Sequence, residues 1–268
     1  MDDADFQRIL DSMALSWTGY RRVRKAVKSR LSRRMMEIGA ATVEDYLQII
    51  REDPVERGTA GILLTVPISR FFRDRTLWES LGELITGTDW RKRTSCTAWC
   101  AGCASGEEVY SLKILWEQLS SATPLPPLEI VATDVNAALL ERARHGEYPP
   151  SSLREVDETS KQRYFTKAGG VFVVLRDLAR GIRWTVHDFT NTPPPCKRCD
   201  LIFMRNNLLT YYDPSIVTPV LKGIVEVLRD GGLLIVGNNE RLPDGYRPLK
   251  ATVAYRSIFR KETGPANG

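Results

Sequence analysis

The stretch Cys96-Thr-Ala-Trp-Cys-Ala-Gly-Cys-Ala-Ser-Gly-Glu-Glu-Val-Tyr-Ser111 constrains the fold more than any other part of the chain. An apolar run breaks at small residues, and two carboxylates open the amphipathic segment behind it, which predicts a buried strand turning into a helix. Between Gly102 and Gly106 the backbone carries little side-chain bulk, so a ligand can approach it closely, and the helix start offers free N–H groups. A nucleotide-like group is commonly held in this way. The glycine spacing is neither the dinucleotide fingerprint nor a phosphate-binding loop with its Lys and Ser/Thr, so the loop taken alone is equally a plain strand-to-helix turn.

The segments beyond it repeat the alternation. Strand 97–101 and helix 107–119 lead through the prolines of 124–127 to strand 128–133, which ends in Asp134, and then to helix 136–144. Later come a strand over 200–206 and a helix within 214–229, with Thr218 as its expected cap and Pro219 at its first position. Asp230-Gly-Gly232 is expected to stop the chain before strand 233–237, and a last, antiparallel strand is expected near 255–260. Such alternation predicts an α/β fold, a doubly wound, mostly parallel sheet with covering helices, over 76–262. Residues 148–187 are less regular and read as a small inserted β unit, with a helix at 161–165 and short strands at 171–175 and 182–186. The tail 263–268 is expected to be disordered.

Residues 1–75 show helical spacing and no strand alternation. Phe6, Ile9, Leu10 and Met13 share one face. Over 20–39, Val23, Val27, Leu31 and Met35 form a stripe, while Arg21, Arg22, Arg24, Lys25, Lys28, Arg30, Arg33 and Arg34 cover the rest. Thr42 caps a further helix through Tyr46, Leu47 and Ile50, with Glu44 and Asp45 in its first turn. The apolar segment 61–74 reads as a packed connection between two domains. The basic helix accounts for much of the net charge of +5. It is either a solvated face or a docking surface for something acidic: a protein helix, nucleic acid or anionic lipid. Like charges four residues apart cost helix stability, which favours the docking surface.

No apolar run approaches the roughly 20 residues of a bilayer span, and the acidic start Met1-Asp-Asp-Ala-Asp5 is unlike a secretion signal, so a cytoplasmic protein is expected. Five cysteines include two Cys-x-x-Cys pairs, Cys100/Cys103 and Cys196/Cys199. One pair follows a parallel strand and the other precedes one, which places them at opposite sheet edges and speaks against a shared zinc site. No metal is expected, and the cysteines read as reduced, apolar thiols. His145 and His187 stand outside any catalytic spacing and read as structural.

In an open parallel sheet the ligand sits beyond the carboxyl ends of the strands, where strand order reverses. Glu107, Asp134, Asp188 and Arg205-Asn206 all belong to such ends. An acid closing the second strand suits a ribose diol; the alternative is an aspartate capping the helix at 136.

Several of these motifs, in their order, resemble the CheR chemotaxis receptor methyltransferase family: Phe71-Phe-Arg-Asp74, Ala104-Ser-Gly-Glu-Glu-Val-Tyr-Ser111, Ala132-Thr-Asp-Val-Asn136, Ala143-Arg-His-Gly-Glu-Tyr148, Asp200-Leu-Ile-Phe-Met-Arg-Asn206 and Tyr211-Tyr-Asp213. The likeness runs to about residue 260. It implies a Rossmann-like methyltransferase that uses S-adenosylmethionine, releases S-adenosylhomocysteine and esterifies glutamate side chains of a protein, with a helical amino-terminal domain and a small inserted β subdomain. By the same likeness, Ser69 touches the cofactor, Arg73 pairs with its carboxylate, Glu107 holds its amino group and Asp134 its ribose. Asp188 and Phe189 flank the adenine, Arg205 and Asn206 close the pocket, and Tyr211 stands near the methyl group. Three positions depart from the pattern: Pro67 replaces an asparagine, Asn207 is an extra residue ahead of Tyr211, and Gly237-Asn-Asn-Glu240 replaces Gly-His-Ser-Glu.

The implied chemistry agrees with the side chains present. A glutamate carboxylate, with a reference pKa near 4.3, is already ionised at neutral pH and needs no general base, so the lack of a Cys-His or Ser-His-Asp set is expected. The implied partner is an acidic protein helix, a chemoreceptor signalling domain, docking on 21–34. A nucleic-acid methyltransferase would show an Asn/Asp-Pro-Pro-aromatic motif just after the fourth strand. Here Pro193-Pro-Pro195 precedes that strand, and nucleic acid is not expected as substrate. The other alternative is a module that binds the cofactor without transferring a methyl group.

Overall fold

The computed structural model describes residues 1–87, 93–246 and 248–262. The chain forms two compact units, one of Met1–Pro67 with Asn207–Pro219 and one of Ile68–Asn206 with Val220–Gly268. The expected boundary at 75 thus falls at 67, and residues 207–219 join the helical unit. Pairing too distant to read from local pattern puts them there: Leu15 and Tyr212 form an antiparallel bridge, and Asp213 N donates to Ala14 O at 3.0 Å.

The helical unit is built from α1 (Asp3–Ser12), α2 (Trp17–Tyr20), α3 (Arg24–Glu37), α4 (Val43–Glu52) and α5 (Pro54–Leu64). Each of three starts is chemically marked. Asp2 accepts from Asp5 N at the head of α1, Thr42 and Asp45 make a reciprocal capping box on α4, and Asp53 accepts from Val55 N with Pro54 as the first helical residue of α5. Phe6, Ile9, Leu10, Tyr20, Val27, Leu31, Tyr46, Ile50 and Leu64 are buried between the helices. The single helix expected over 20–39 is broken: α2 ends at Tyr20, the chain turns at 21–23, and α3 starts at Arg24.

The basic stretch 21–34 divides in two. Arg30 donates to the carbonyls of Leu63 at 3.0 Å and Thr65 at 2.7 Å, capping the end of α5. Arg34 reaches the buried Glu56 at 2.5 Å, which also accepts from Tyr46 Oη at 3.0 Å. Arg24 and Lys28 pair with Asp3 at 3.2 and 2.9 Å. Arg21, Arg22, Lys25 and Arg33 remain exposed.

The second unit carries a seven-stranded sheet in the order β6-β2-β1-β7-β8-β10-β9. Its strands are β1 (Cys96–Ala101), β2 (Leu128–Asp134), β6 (Ile182–Val186), β7 (Cys199–Met204), β8 (Leu228–Val236), β9 (Leu249–Ala251) and β10 (Ile258–Lys261). The first five in that order are parallel, and β10 and β9 are added antiparallel. β7 is buried at every residue, as a central strand covered on both faces must be. Helices α6 (Arg75–Thr86), α7 (Glu107–Ala122) and α8 (Ala137–His145) accompany it. A second sheet consists of β3 (Glu147–Tyr148), β5 (Val171–Val174) and β4 (Phe165–Ala168), with α9 (Glu158–Tyr164) leading into β4.

Four expectations change here. The strand at 182–186 was expected in the inserted β unit, but β6 pairs parallel with β2 from Ile130↔Ile182 to Asp134↔Val186 and so edges the main sheet. A five-residue alternating strand reads the same whichever sheet it joins. Pro219 lies inside α11 (Pro214–Val227), which comes after the short α10 (Leu208–Tyr211) and opens instead at Asp213-Pro214, with the Asp213 carboxylate accepting from Ser215 N at 2.9 Å. The Asp230-Gly-Gly232 stop is an irregularity within β8, where pairing jumps from Cys199↔Leu228 to Leu201↔Leu233, and Gly231 takes φ 73° to allow it. Cys196 and Cys199 are joined as a disulfide, contrary to the expectation of five reduced thiols. Cys96, Cys100 and Cys103 stay free and buried, and burial pushes the Cys96 thiol up to about 12. The tail 263–268 and most of the polar break at 86–94 lie outside the described residues.

Candidate functional site

Chain order runs from β1 outward to β2 and β6 on one side, then crosses to β7 and β8 on the other. The reversal therefore lies between β1 and β7, and the carboxyl ends of all five parallel strands face the same rim. On the β1 side the loop 102–106 folds over the end of β2. Gly102 N and Cys103 N both donate to Thr133 O, at 2.8 and 2.9 Å, and Ala104 N donates to Asp134 Oδ2 at 2.9 Å. Gly106 takes φ 87°, and a Cβ there would stand 2.8 Å from Ala143 Cβ and 3.0 Å from the Trp184 ring. Packing and the positive φ both require glycine at this point.

Asp134 is only 7% exposed. Its other oxygen accepts from Asn136 N at 2.9 Å, and burial pushes its carboxyl up against the pull of these amides. It does not cap α8: Asn136 does, accepting from Ala138 N and Leu139 N at 3.0 and 3.4 Å. Val135 N is a third backbone donor to this carboxylate, whose two oxygens together offer about four acceptor positions, so it can still accept from a further donor. Glu107 opens α7, is 2% exposed, and accepts from Ser105 Oγ at 2.7 Å; Tyr148 Oη in turn donates to Ser105 O at 2.6 Å.

Across the reversal, Arg205 follows β7 with its side chain 3% exposed. Its Nη2 meets Asp74 Oδ2 at 2.6 Å and the Arg73 carbonyl at 3.2 Å, and its Nη1 meets Glu108 Oε2 at 2.9 Å. Trp78 Nε1 donates to the same Arg73 carbonyl at 2.9 Å. Burial pushes the Glu108 carboxyl up, and the Arg205 guanidinium pulls it back. Sequence reasoning missed Asp74 and Glu108; the signal available was their place beside Arg73 and Glu107 in an otherwise apolar setting. Arg205 Nε is buried without a hydrogen-bond partner. Asn206 N and Gly237 N both donate to Glu240 Oε2, at 2.8 and 2.6 Å, so the 237–240 segment fixes the backbone at the end of β7.

Other expected residues are placed less directly. Arg73 is half-buried, with Nη1 donating to Ile68 O at 3.0 Å, and Ser69 is half-buried on the segment it folds against. Asp188, beyond β6, turns its carboxylate back on its own turn, accepting from Thr190 N and Oγ1 and from Asn191 Nδ2 at 2.9, 2.6 and 2.6 Å. Phe189 beside it is half-buried. His187 N donates to Asp134 O at 3.0 Å and its Nε2 lies 2.9 Å from Pro193 O, and His145 Nδ1 lies 2.7 Å from Glu141 O; both histidines brace local structure. Tyr211 belongs to the helical unit, its ring 4.9 Å from that of Tyr20 and its carbonyl accepting from Ser16 N at 2.7 Å. Phe72, Asp74, Ala104 and Asn206 all take positive φ, between 48 and 65°. Left-handed geometry is costly outside glycine, and of the five described non-glycine residues that adopt it only Ala14 lies in the helical unit.

Asp134 ends β2, Glu107 opens α7 after β1 and Arg205 follows β7, so two carboxylates and one guanidinium belong to the strand-end loops of this rim. Among the described residues no His/Cys/Asp/Glu group could hold a metal ion. Residues 68–256 match the CheR methyltransferase, SAM binding domain. The chain belongs to the CheR methyltransferase family. It is 32% identical over 250 residues to chemotaxis protein methyltransferase 2 of Pseudomonas aeruginosa, covering 90% of this chain and 84% of that protein. It is 30% identical over 202 residues to the chemotaxis protein methyltransferase of Listeria innocua, covering 75% of each. It also matches, at 29% identity over 220 residues, an uncharacterized 104.1 kDa protein of Rhodobacter capsulatus, of which it spans 23%. As a CheR methyltransferase it uses S-adenosylmethionine, and the rim fits that group: the unpartnered Arg205 Nε and the remaining acceptor capacity of Asp134 supply a donor and an acceptor there. No helix among the described residues is long and apolar enough to cross a membrane.

Proposed function

We propose that this CheR-family enzyme esterifies glutamate side chains in the cytoplasmic signalling domain of a chemoreceptor. The observation that supports the reading is the strand reversal between β1 and β7, whose carboxyl-end loops carry Glu107, Asp134 and Arg205 within the matched residues 68–256. The relatives are named chemotaxis protein methyltransferases, which supports an acceptor in chemotaxis, and the glutamyl carboxylate follows from the family resemblance.

S-adenosylmethionine supplies a methyl group activated on a sulfonium. Arg73, with Ser69 beside it, binds the donor's carboxylate, Glu107 its ammonium and Asp134 its ribose hydroxyls, while Asp188 and Phe189 flank the adenine. Asn206 closes the pocket. Arg205 acts mainly through the Arg73 carbonyl and through Asp74, which it holds in its left-handed turn. Tyr211 is the residue we assign to the methyl-transfer step. Since the acceptor carboxylate is ionised without help, the protein's task is alignment and exclusion of water, and alignment alone lowers such barriers by roughly 7–11 kcal/mol. The exposed cations Arg21, Arg22, Lys25 and Arg33 present a positive face to an acidic receptor helix.

The test is transfer from methyl-labelled donor to a purified chemoreceptor cytoplasmic fragment. Label released as methanol by mild base supports a glutamyl ester. Base-stable label, label on RNA or DNA, or binding without transfer each overturns it.

A further inference from the structure

The disulfide between Cys196 and Cys199 has no part in methyl transfer, yet it terminates a segment that begins at the site. From Asp188 the chain runs through Phe189 and Pro193-Pro-Pro195 to Cys196. His187 Nε2 lies 2.9 Å from Pro193 O, and Arg183 Nη2 donates to Pro195 O at 3.2 Å. The far end is anchored by Cys199, fully buried as the first residue of β7 and paired with Leu228. Beside it Asp200 accepts from Thr97 N at 2.8 Å and pairs with Arg93 and Arg229. The two sulfurs differ in access: Cys196 is half-buried next to exposed Lys197 and Arg198, while Cys199 is sealed in the sheet. The other three cysteines are at most 3% exposed. The ring is too short to stabilise the fold appreciably through loop closure, since that effect grows with loop length.

We propose that Cys196–Cys199 is a reversible thiol–disulfide exchange site that controls how firmly segment 188–196 is held, and through it the affinity for the methyl donor. This rests on the reading of Asp188 and Phe189 as neighbours of the adenine. In reduction, the thiolate of an external thiol such as glutathione attacks Cys196 Sγ, forming a mixed disulfide and expelling the Cys199 thiolate, which takes up a proton. A second external thiol attacks the mixed disulfide, releasing the Cys196 thiol and leaving the external pair oxidised as a disulfide. The protein gains two electrons and two protons, and the external thiols lose them. Cationic Lys197 and Arg198 favour the anionic species that pass through this site.

The experiment uses full-length protein equilibrated with oxidised or reduced glutathione, freed of it, and divided between thiol counting after denaturation and calorimetric titration with S-adenosylhomocysteine. Three thiols are expected after oxidation and five after reduction. Affinity is expected to fall about tenfold on reduction, equivalent to ordering roughly one backbone residue on binding. Cys196→Ser and Cys196→Ala should show the reduced affinity under both conditions. Five thiols after oxidation, or equal affinity in the two states, overturns the proposal. Asp188→Ala separates the two failures: if it weakens binding while redox state does not, the switch falls and the site assignment stands, and if it leaves binding unchanged, the site assignment falls and the proposed link with it.

Discussion

Arg205 ends β7 with one terminal nitrogen committed to Asp74 and the other to Glu108, in a position 3% exposed. Arg205→Met would leave both carboxylates without their cation, a loss of about 3–5 kcal/mol in folding stability measurable by chemical denaturation. Asp134 offers a pH test. Burial raises its carboxyl above the ordinary 3.8, and the ribose hydroxyls are to be accepted by the ionised form. Affinity for S-adenosylhomocysteine should therefore stay flat above the raised pKa and decline as pH falls through it, beginning at a higher pH than an unperturbed aspartate would give. Asp134→Asn should remove that part of the dependence. At this scale the sequence disclosed which residues stand at the rim but not what they touch: Glu108 looked like a first-turn helix acid, and only the fold pairs it with a residue 97 positions away.

Helix α3 separates two kinds of cation that its sequence presents alike. Arg30 and Arg34 face inward to the α5 carbonyls and to Glu56, so Arg30→Ala and Arg34→Ala should lower the melting temperature. Lys25→Glu with Arg33→Glu should leave the melting temperature and S-adenosylhomocysteine affinity unchanged while slowing receptor methylation, the more so at low salt, where screening is weakest. Equal methylation rates would remove the docking role from α3. On α4, Thr42→Ala deletes one half of a capping box and should cost about 1 kcal/mol in a denaturation curve. Most helices and the parallel strands were legible because their periods and caps are local properties. β6 and the course of β8 through Gly231 were not, because pairing partners and bulges depend on distant chain.

Across the whole molecule, the order of motifs identified the family, while the division into units depended on contacts that no local pattern encodes. Residues 207–219 read as part of the sheet domain, yet the bridge of Tyr212 to Leu15 places them with the helices. The disulfide was likewise hidden, since Cys-x-x-Cys spacing admits free thiols, metal or a bond. Calorimetric titration of S-adenosylhomocysteine into wild type, Arg73→Ala and Asp134→Ala bears most directly on the strand-end rim as the donor's seat. Each variant should bind more weakly by about 1–3 kcal/mol with its fold intact by circular dichroism; wild-type affinity in both would place the donor elsewhere.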